Sequence, residues 1–180
     1  MTISMYKASV PIFVQFLTSL SAWLDKAAAY AEAKKIDPAV LLNSLARKVR
    51  AATDHAINAC GRLAGVELPT FANTEASFPE LEERVAKTIE FIKAIKPAQI
   101  DGSEDKEITM KFASGERKFS GQSLLLNFCL PNFYFHATTA YDILRQSGVE
   151  LGKRTSWERR PSFSGTDAPS LGGLELGSNV

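Results

Sequence analysis

Apolar residues recur every three or four positions over three long stretches of this chain, and this period is the strongest constraint on its fold. The stretches cover residues 9–34, 37–63 and 77–95. Such spacing places the apolar side chains on one face of a helix. Each helix has to bury that face against a neighbour, so the pattern predicts a soluble helical bundle and an all-α fold class.

Start and stop signals for helices separate the periodic stretches. Asp37 followed by Pro38 is typical of an N-cap and a first helical position, and Gly65 is suited to the left-handed residue that ends a helix. Ser77 with Glu80 three residues later is a capping-box sequence. These signals predict that the second helix ends near residue 64 and that a loop over 66–76 leads to the third.

The period changes to an alternation of apolar and polar residues over 107–112, which is typical of a strand. Residues 113–116 suit a turn, and 117–119 suit a short return strand. Two strands alone are marginally stable, so we expect this hairpin to pack on the helices.

A fourth helix is predicted over about 122–146, with Gly148 as the residue that follows its end. Pro131 lies inside it and is expected to kink or split the helix, because proline lacks the backbone donor and crowds the preceding turn. From 154 to 180 the chain is rich in Gly, Ser and Pro and has little periodicity. We expect one domain over 1–153 and a disordered tail over 154–180.

Charge and composition exclude several classes of partner. The 180 residues contain 21 Lys and Arg against 20 Asp and Glu, so a nucleic-acid partner is not expected. No apolar run approaches the about 18 residues that a membrane span requires, and the first residues do not resemble a signal peptide. Cys60 and Cys129 lie in apolar helical stretches without a metal-binding spacing, so we expect buried free thiols and a cytoplasmic protein.

The chain has two histidines, His55 and His136, and both fall near the middle of predicted helices. Mid-helix residues on inward faces can meet in an antiparallel bundle, where two imidazoles would supply half of a metal site. Alternatively, each histidine is a hydrogen-bonded residue of the core. No third ligand has a compelling spacing, and the remaining candidates are Asp54, Asn132, Tyr141 and Asp142.

Residues 131–136 are dense in aromatic side chains beside His136. They could line an apolar pocket around the histidine, or they could fill the core. The sequence contains no GxSxG, GxxxxGK[ST], GxGxxG or HExxH motif. It therefore gives no indication of a serine hydrolase, a P-loop protein or a Rossmann-type dinucleotide-binding protein. The residues proposed to line the pocket are Asn132, Phe133, Phe135 and Tyr141.

Several segments, taken in order, resemble one uncharacterised family of unknown function in the DinB-like (YfiT-like) superfamily of four-helix proteins. The sharpest match is PNFYFHATTAYDILR at 131–145. The resemblance spans about residues 1–153, and its other segments are 4–11, 39–43, 53–56, 78–81, 101–102, 148–149 and 151–153.

The resemblance implies an up-down four-helix bundle, often dimeric. The hairpin predicted from the alternation would lie between the third and fourth helices of this bundle. Many DinB-like proteins hold a divalent metal (zinc, nickel or manganese among the candidates) with three histidines, and some act in thiol-dependent transfer. His55 and His136 match two ligand positions, and Ala140 stands at the third.

Two functions follow as hypotheses. The first is a non-catalytic bundle that binds a small ligand or a protein partner, with the aromatic residues lining the site. The second is a metal-dependent enzyme that uses His55 and His136 on a thiol substrate.

Overall fold

The protein is described by a computed structural model that covers residues 3–152. These residues are mostly helical, with one small antiparallel sheet. In chain order the elements are α1 (Val10–Lys34), α2 (Pro38–Ala64), α3 (Phe78–Ala94), α4 (Pro97–Ile100), β1 (Glu107–Phe112), β2 (Gly115–Ser120), α5 (Gly121–Ser123), a π-helical turn (Leu124–Cys129) and α6 (Leu130–Gln146).

The helix caps predicted from sequence are present. The carboxylate of Asp37 accepts a hydrogen bond from the Ala39 amide at 2.9 Å, and Gly65 ends α2 with φ of 70°. Ser77 and Glu80 form the capping box at the start of α3. These bonds satisfy backbone groups that a helix end would otherwise leave unpaired, and they fix where the long helices begin and end.

The hairpin is confirmed, with a shorter turn than expected. Ile108 faces Phe119 across the two strands, and Phe112 faces Gly115. Gly115 therefore belongs to β2, where its φ of 118° lets the chain reverse after only two residues. Ile108 and Met110 are buried, so the hairpin packs on the helices as expected.

The fourth predicted helix forms without a break, and Pro131 lies in the first turn of α6. The chain enters it through the π-helical turn, in which the Leu130 amide bonds to the Leu125 carbonyl five residues earlier. A π turn carries one extra residue compared with an α turn. The expected kink or split is thus replaced by a local widening of the helix just before the proline.

The core lies between the four long helices. α1 packs on α3, and α2 packs on both α3 and α6. Cys60 and Cys129 are buried there as free thiols, as predicted. Fully buried side chains come from every long helix, among them Phe13, Leu17, Leu24, Leu45, Leu63, Leu81, Ile92, Phe133 and Leu144.

Within residues 3–152, no helix combines the length and the apolar character that crossing a membrane demands. The predicted tail over 154–180 lies outside the described residues.

Candidate functional site

His55 of α2 and His136 of α6 meet, as the sequence analysis predicted they could. Their ring centroids are 5.8 Å apart, and their planes are within 14° of parallel. Both residues are half-buried. Packing of α2 against α6 brings together two positions that are 81 residues apart in the chain.

Both imidazoles are held in the neutral form at neutral pH. Burial, followed by the repulsion between the two rings when both are protonated, lowers the pKa of His55 to about 4. Burial also lowers the pKa of His136, and the positive charges of Lys48 and Arg47 add to this effect. A neutral imidazole offers one N–H donor and one acceptor nitrogen, so the pair could bind a polar group of either kind.

One ring nitrogen of the pair is buried without a hydrogen-bond partner. Nδ1 of His136 is buried, and no atom in the described part of the chain bonds to it. Buried polar atoms nearly always have partners, and exceptions are often found at functional sites. This nitrogen therefore distinguishes His136 from a histidine that is satisfied within the core.

Phenylalanine rings extend from the histidine pair in both directions. The ring of Phe128 lies 5.5 Å from that of His55, and it also contacts Phe112 at 5.6 Å and Phe119 at 5.3 Å. The ring of Phe135 lies 5.2 Å from that of His136. We call this continuous set of rings the aromatic band: Phe112, Phe119, Phe128, His55, His136 and Phe135.

The aromatic band reaches the surface, where it has a cation at each end. Phe135 is 60% exposed. Lys48 Nζ lies 5.1 Å from the centroid of the Phe135 ring, and the guanidinium of Arg117 lies 5.2 Å from that of Phe112. Such cation–π contacts are favourable, and they leave the cations open to a further partner.

A polar cluster that includes Asp54, the residue before His55 in the chain, is centred on Arg84, which is only 2% exposed. Its guanidinium bonds to the Asp54 carboxylate, to the Thr53 hydroxyl at 2.7 Å and to Glu75 at 2.7 Å. The ring of Phe71 stacks on it at 4.4 Å. We call these residues the Arg84 cluster.

The Arg84 cluster joins the loop before α3 to helices α2 and α3. Burial acts to raise the pKa of Glu75, but hydrogen bonds from Arg84 and Arg50 outweigh it and hold that pKa below its usual value. Asp54 precedes His55 in the chain, and its carboxylate is bound by Arg84. Asp54 is therefore engaged in a structural ion pair next to the site.

The other residues proposed for the pocket lie elsewhere. Phe133 is buried against Phe13 of α1 at 4.8 Å, and Tyr141 packs against Trp23 of α1 at 5.3 Å. Both face α1, whereas His136 meets α2.

Asn132 lies beside Pro131 and donates its side-chain amide to the Phe128 carbonyl at 2.7 Å. Of the three aromatic residues proposed for the pocket, Phe135 is the one whose ring packs on a histidine of the pair.

The residues present do not complete a metal site of the three-histidine kind. No group of three or more His, Cys, Asp or Glu suited to a metal ion occurs among residues 3–152. Ala140, at the third position implied by the resemblance, is buried in the core. Among the other candidates for a third ligand, Asp142 is exposed and Tyr141 contacts Arg145.

The two thiols are not set up as nucleophiles or ligands. Burial raises the pKa of Cys60 far above its usual range and that of Cys129 to about 12. Both thiols are therefore protonated at neutral pH, whereas the thiolate is the reactive form.

Residues 5–155 match the family described as Domain of unknown function (DUF1993). This chain belongs to that family. Its fold is similar to that of a DinB family member protein from Shewanella denitrificans, with a TM-score of 0.80 and 34% sequence identity. That likeness covers 91% of this chain and 95% of the other. Among curated proteins no match was found.

Proposed function

We propose that this member of the family is a non-catalytic binding protein, an up-down four-helix bundle that holds a small apolar ligand on the aromatic band. The observation that carries the proposal is the exposed Phe135 ring beside the His136 imidazole, whose buried Nδ1 lacks a partner. A few polar groups set among aromatic side chains are typical of ligand sites. An apolar surface that a soluble protein leaves open commonly marks such a site.

The groups around the histidines favour binding over catalysis. His55, with a pKa of about 4, is a weak base at neutral pH. The carboxylate next to it in sequence, Asp54, is bound by Arg84 rather than by an imidazole. General acid–base catalysis needs a group whose pKa lies near the working pH and a partner that orients it. Within residues 3–152 the pair has no bonded carboxylate to orient it, since the neighbouring Asp54 binds Arg84.

The test uses N-phenyl-1-naphthylamine, an uncharged aromatic dye that fluoresces in apolar surroundings. We expect saturable binding to the wild-type protein and about tenfold weaker binding to Phe135→Ser, since a phenyl ring contributes on the order of 1.5–3 kcal/mol when it is buried. Val40→Ser is the matched control, because Val40 is 67% exposed at the start of α2 and is not part of the band.

Equal affinity of the wild type and Phe135→Ser for this dye would overturn the proposal. A dimer that covers Phe135, of the kind the resemblance implies, would also contradict it. In that case analytical ultracentrifugation without dye would show a dimer for the wild type and a monomer for Phe135→Ser.

The stacked neutral imidazoles favour one second candidate, a divalent-metal-dependent enzyme of the thiol-transferase type using His55 and His136. The chain would supply two ligands, so water or substrate would have to supply the rest. Stoichiometric zinc binding by the wild type that is lost in His136→Ala would replace the binding-protein proposal with this one.

A further inference from the structure

Three cations at the aromatic band lack acidic partners within the described part of the chain. They are Arg47 and Lys48 of α2 and Arg117 of β2. The ion pairs of this region involve other residues: Lys111 pairs with Glu116, and Lys118 with Glu107. The positive charge at the band is thus not neutralised locally, although the net charge of the whole protein is only +1.

The nearest carboxylate on α2 does not cancel this charge. Asp54 is bound by Arg84, a cation that is itself buried. Arg84 also binds Glu75, and Arg50 binds the same carboxylate at 2.7 Å. The carboxylates of Asp54 and Glu75 are therefore balanced by Arg84 and Arg50, and they leave Arg47 and Lys48 as uncompensated charges.

The charges are concentrated at the end of the band that also carries the unpartnered nitrogen. Lys48 lies over the Phe135 ring, and the charges of Arg47 and Lys48 are both felt at the His136 imidazole. Nδ1 of the same imidazole has no hydrogen-bond partner. A negatively charged group placed beside the exposed Phe135 ring would meet the Lys48 ammonium, with the charge of Arg47 close enough to act on the same imidazole.

We infer that the ligand of the aromatic band is an organic acid with an apolar body. Its anionic head would lie against Arg47, Lys48 and the His136 imidazole, and its body would lie on Phe135 and the phenyl rings beyond the histidines. This inference rests on the proposed function, and it adds the chemical class of the ligand. Complementary charge gives such a site its preference for an acid over an alcohol or an amine of the same shape.

The test compares two dyes that share one aromatic body. 1-Anilinonaphthalene-8-sulfonate carries a sulfonate group, which represents the anionic head of the ligand. N-phenyl-1-naphthylamine has the same aromatic body without the sulfonate. We expect the wild type to bind the sulfonate dye more tightly. In Arg47→Gln/Lys48→Gln its affinity should fall about three- to tenfold, because partly exposed ion pairs contribute only modestly to binding. The affinity for the uncharged dye should stay the same.

Lys26→Gln/Lys34→Gln is the matched control, because it removes the same two charges from a different surface. Those lysines line a cavity of about 560 Å³ formed with Tyr30 and Gly148. If the sulfonate dye loses affinity in this control and not in Arg47→Gln/Lys48→Gln, the anion binds in that cavity and the inference is wrong.

The remaining outcomes separate the two proposals. Equal affinity of the wild type for both dyes, with both weakened by Phe135→Ser, would overturn the preference for an acid and leave the binding site standing. Binding of both dyes that is unaffected by Phe135→Ser would overturn the proposed function together with the inference.

Discussion

His55 illustrates at the residue scale how burial sets the chemistry of a side chain. Its imidazole lies between the rings of Phe128 and His136, which solvate a positive charge poorly. The neutral ring is therefore the stable form. A histidine in this state donates or accepts a hydrogen bond, but it does not attract an anion by charge. At this site that role falls to Arg47 and Lys48.

The lowered pKa of His55 predicts a dependence of stability on pH. The folded protein protonates this ring at about 4, whereas the unfolded chain does so near 6.5. Between these values the unfolded state binds more protons, so the contribution of His55 to stability is complete above pH 6.5 and is lost as the pH falls toward 4. Urea unfolding of the wild type and His55→Asn at pH 7, 6 and 5 checks this.

We expect the loss of stability between pH 7 and pH 5 to be smaller in His55→Asn than in the wild type. A difference in the free energy of unfolding between the two proteins that stays constant across this range would show that His55 is not protonated more easily in the unfolded state.

At the element scale, the Arg84 cluster attaches a long connection to the helices. The loop between α2 and α3 contributes Phe71, Asn73 and Glu75, and all three contact Arg84. Arg84 also donates to Thr53 and Asp54 of α2. One buried side chain of α3 thus binds the loop and α2 together.

Removal of Arg84 should therefore destabilise the fold. Arg84→Met keeps much of the apolar stem but leaves Glu75 and Thr53 without their shared donor, so we expect a loss of about 2–4 kcal/mol in the free energy of unfolding. Lys87→Met is the control, since it breaks the exposed pair with Glu83, and such pairs contribute less than about 1 kcal/mol. Losses of equal size in the two variants would contradict the role given to Arg84.

At the scale of the whole molecule, the sequence was sufficient for the features that depend on local signals. The caps at Asp37 and Ser77 act within a few residues of themselves, and the apolar period defines each helix without reference to the others. The contact between His55 and His136 could also be predicted from the sequence, because mid-helix positions of packed antiparallel helices come close to one another.

The aromatic band was harder to predict from the sequence, because the π-helical turn changes the phase of the helix that follows it. The apolar period of the sequence places Leu125, Cys129, His136, Ala140, Ile143 and Leu144 on one inner side. Beyond the extra residue of the π turn, Ala140 and Leu144 are buried as that period predicts, but Leu130, Phe133 and Ala137 are buried with them, while His136 and Ile143 are only half-buried. Phe133 consequently lies in the core, and Phe135 is left at the surface.

The Arg84 cluster was not predicted, although the sequence carries a signal for it. Arg84 occupies a position in the apolar period of α3, between Leu81 and Thr88, where a charged residue must find partners on folding. Its partners lie 9–31 residues away, most of them in an irregular loop. No periodicity describes such a loop, so its contacts emerge only in three dimensions.

The most direct test of the central claim is to map the binding of 1-anilinonaphthalene-8-sulfonate by nuclear magnetic resonance of the labelled wild-type protein. We predict that the largest chemical-shift changes occur at His55, Phe128, Phe135 and His136. Changes confined to the cavity of about 480 Å³ near Ile36, Leu42 and Phe78, at the N-terminal end of α2, would contradict the account. In that case the aromatic band would be part of the structure and not a binding site.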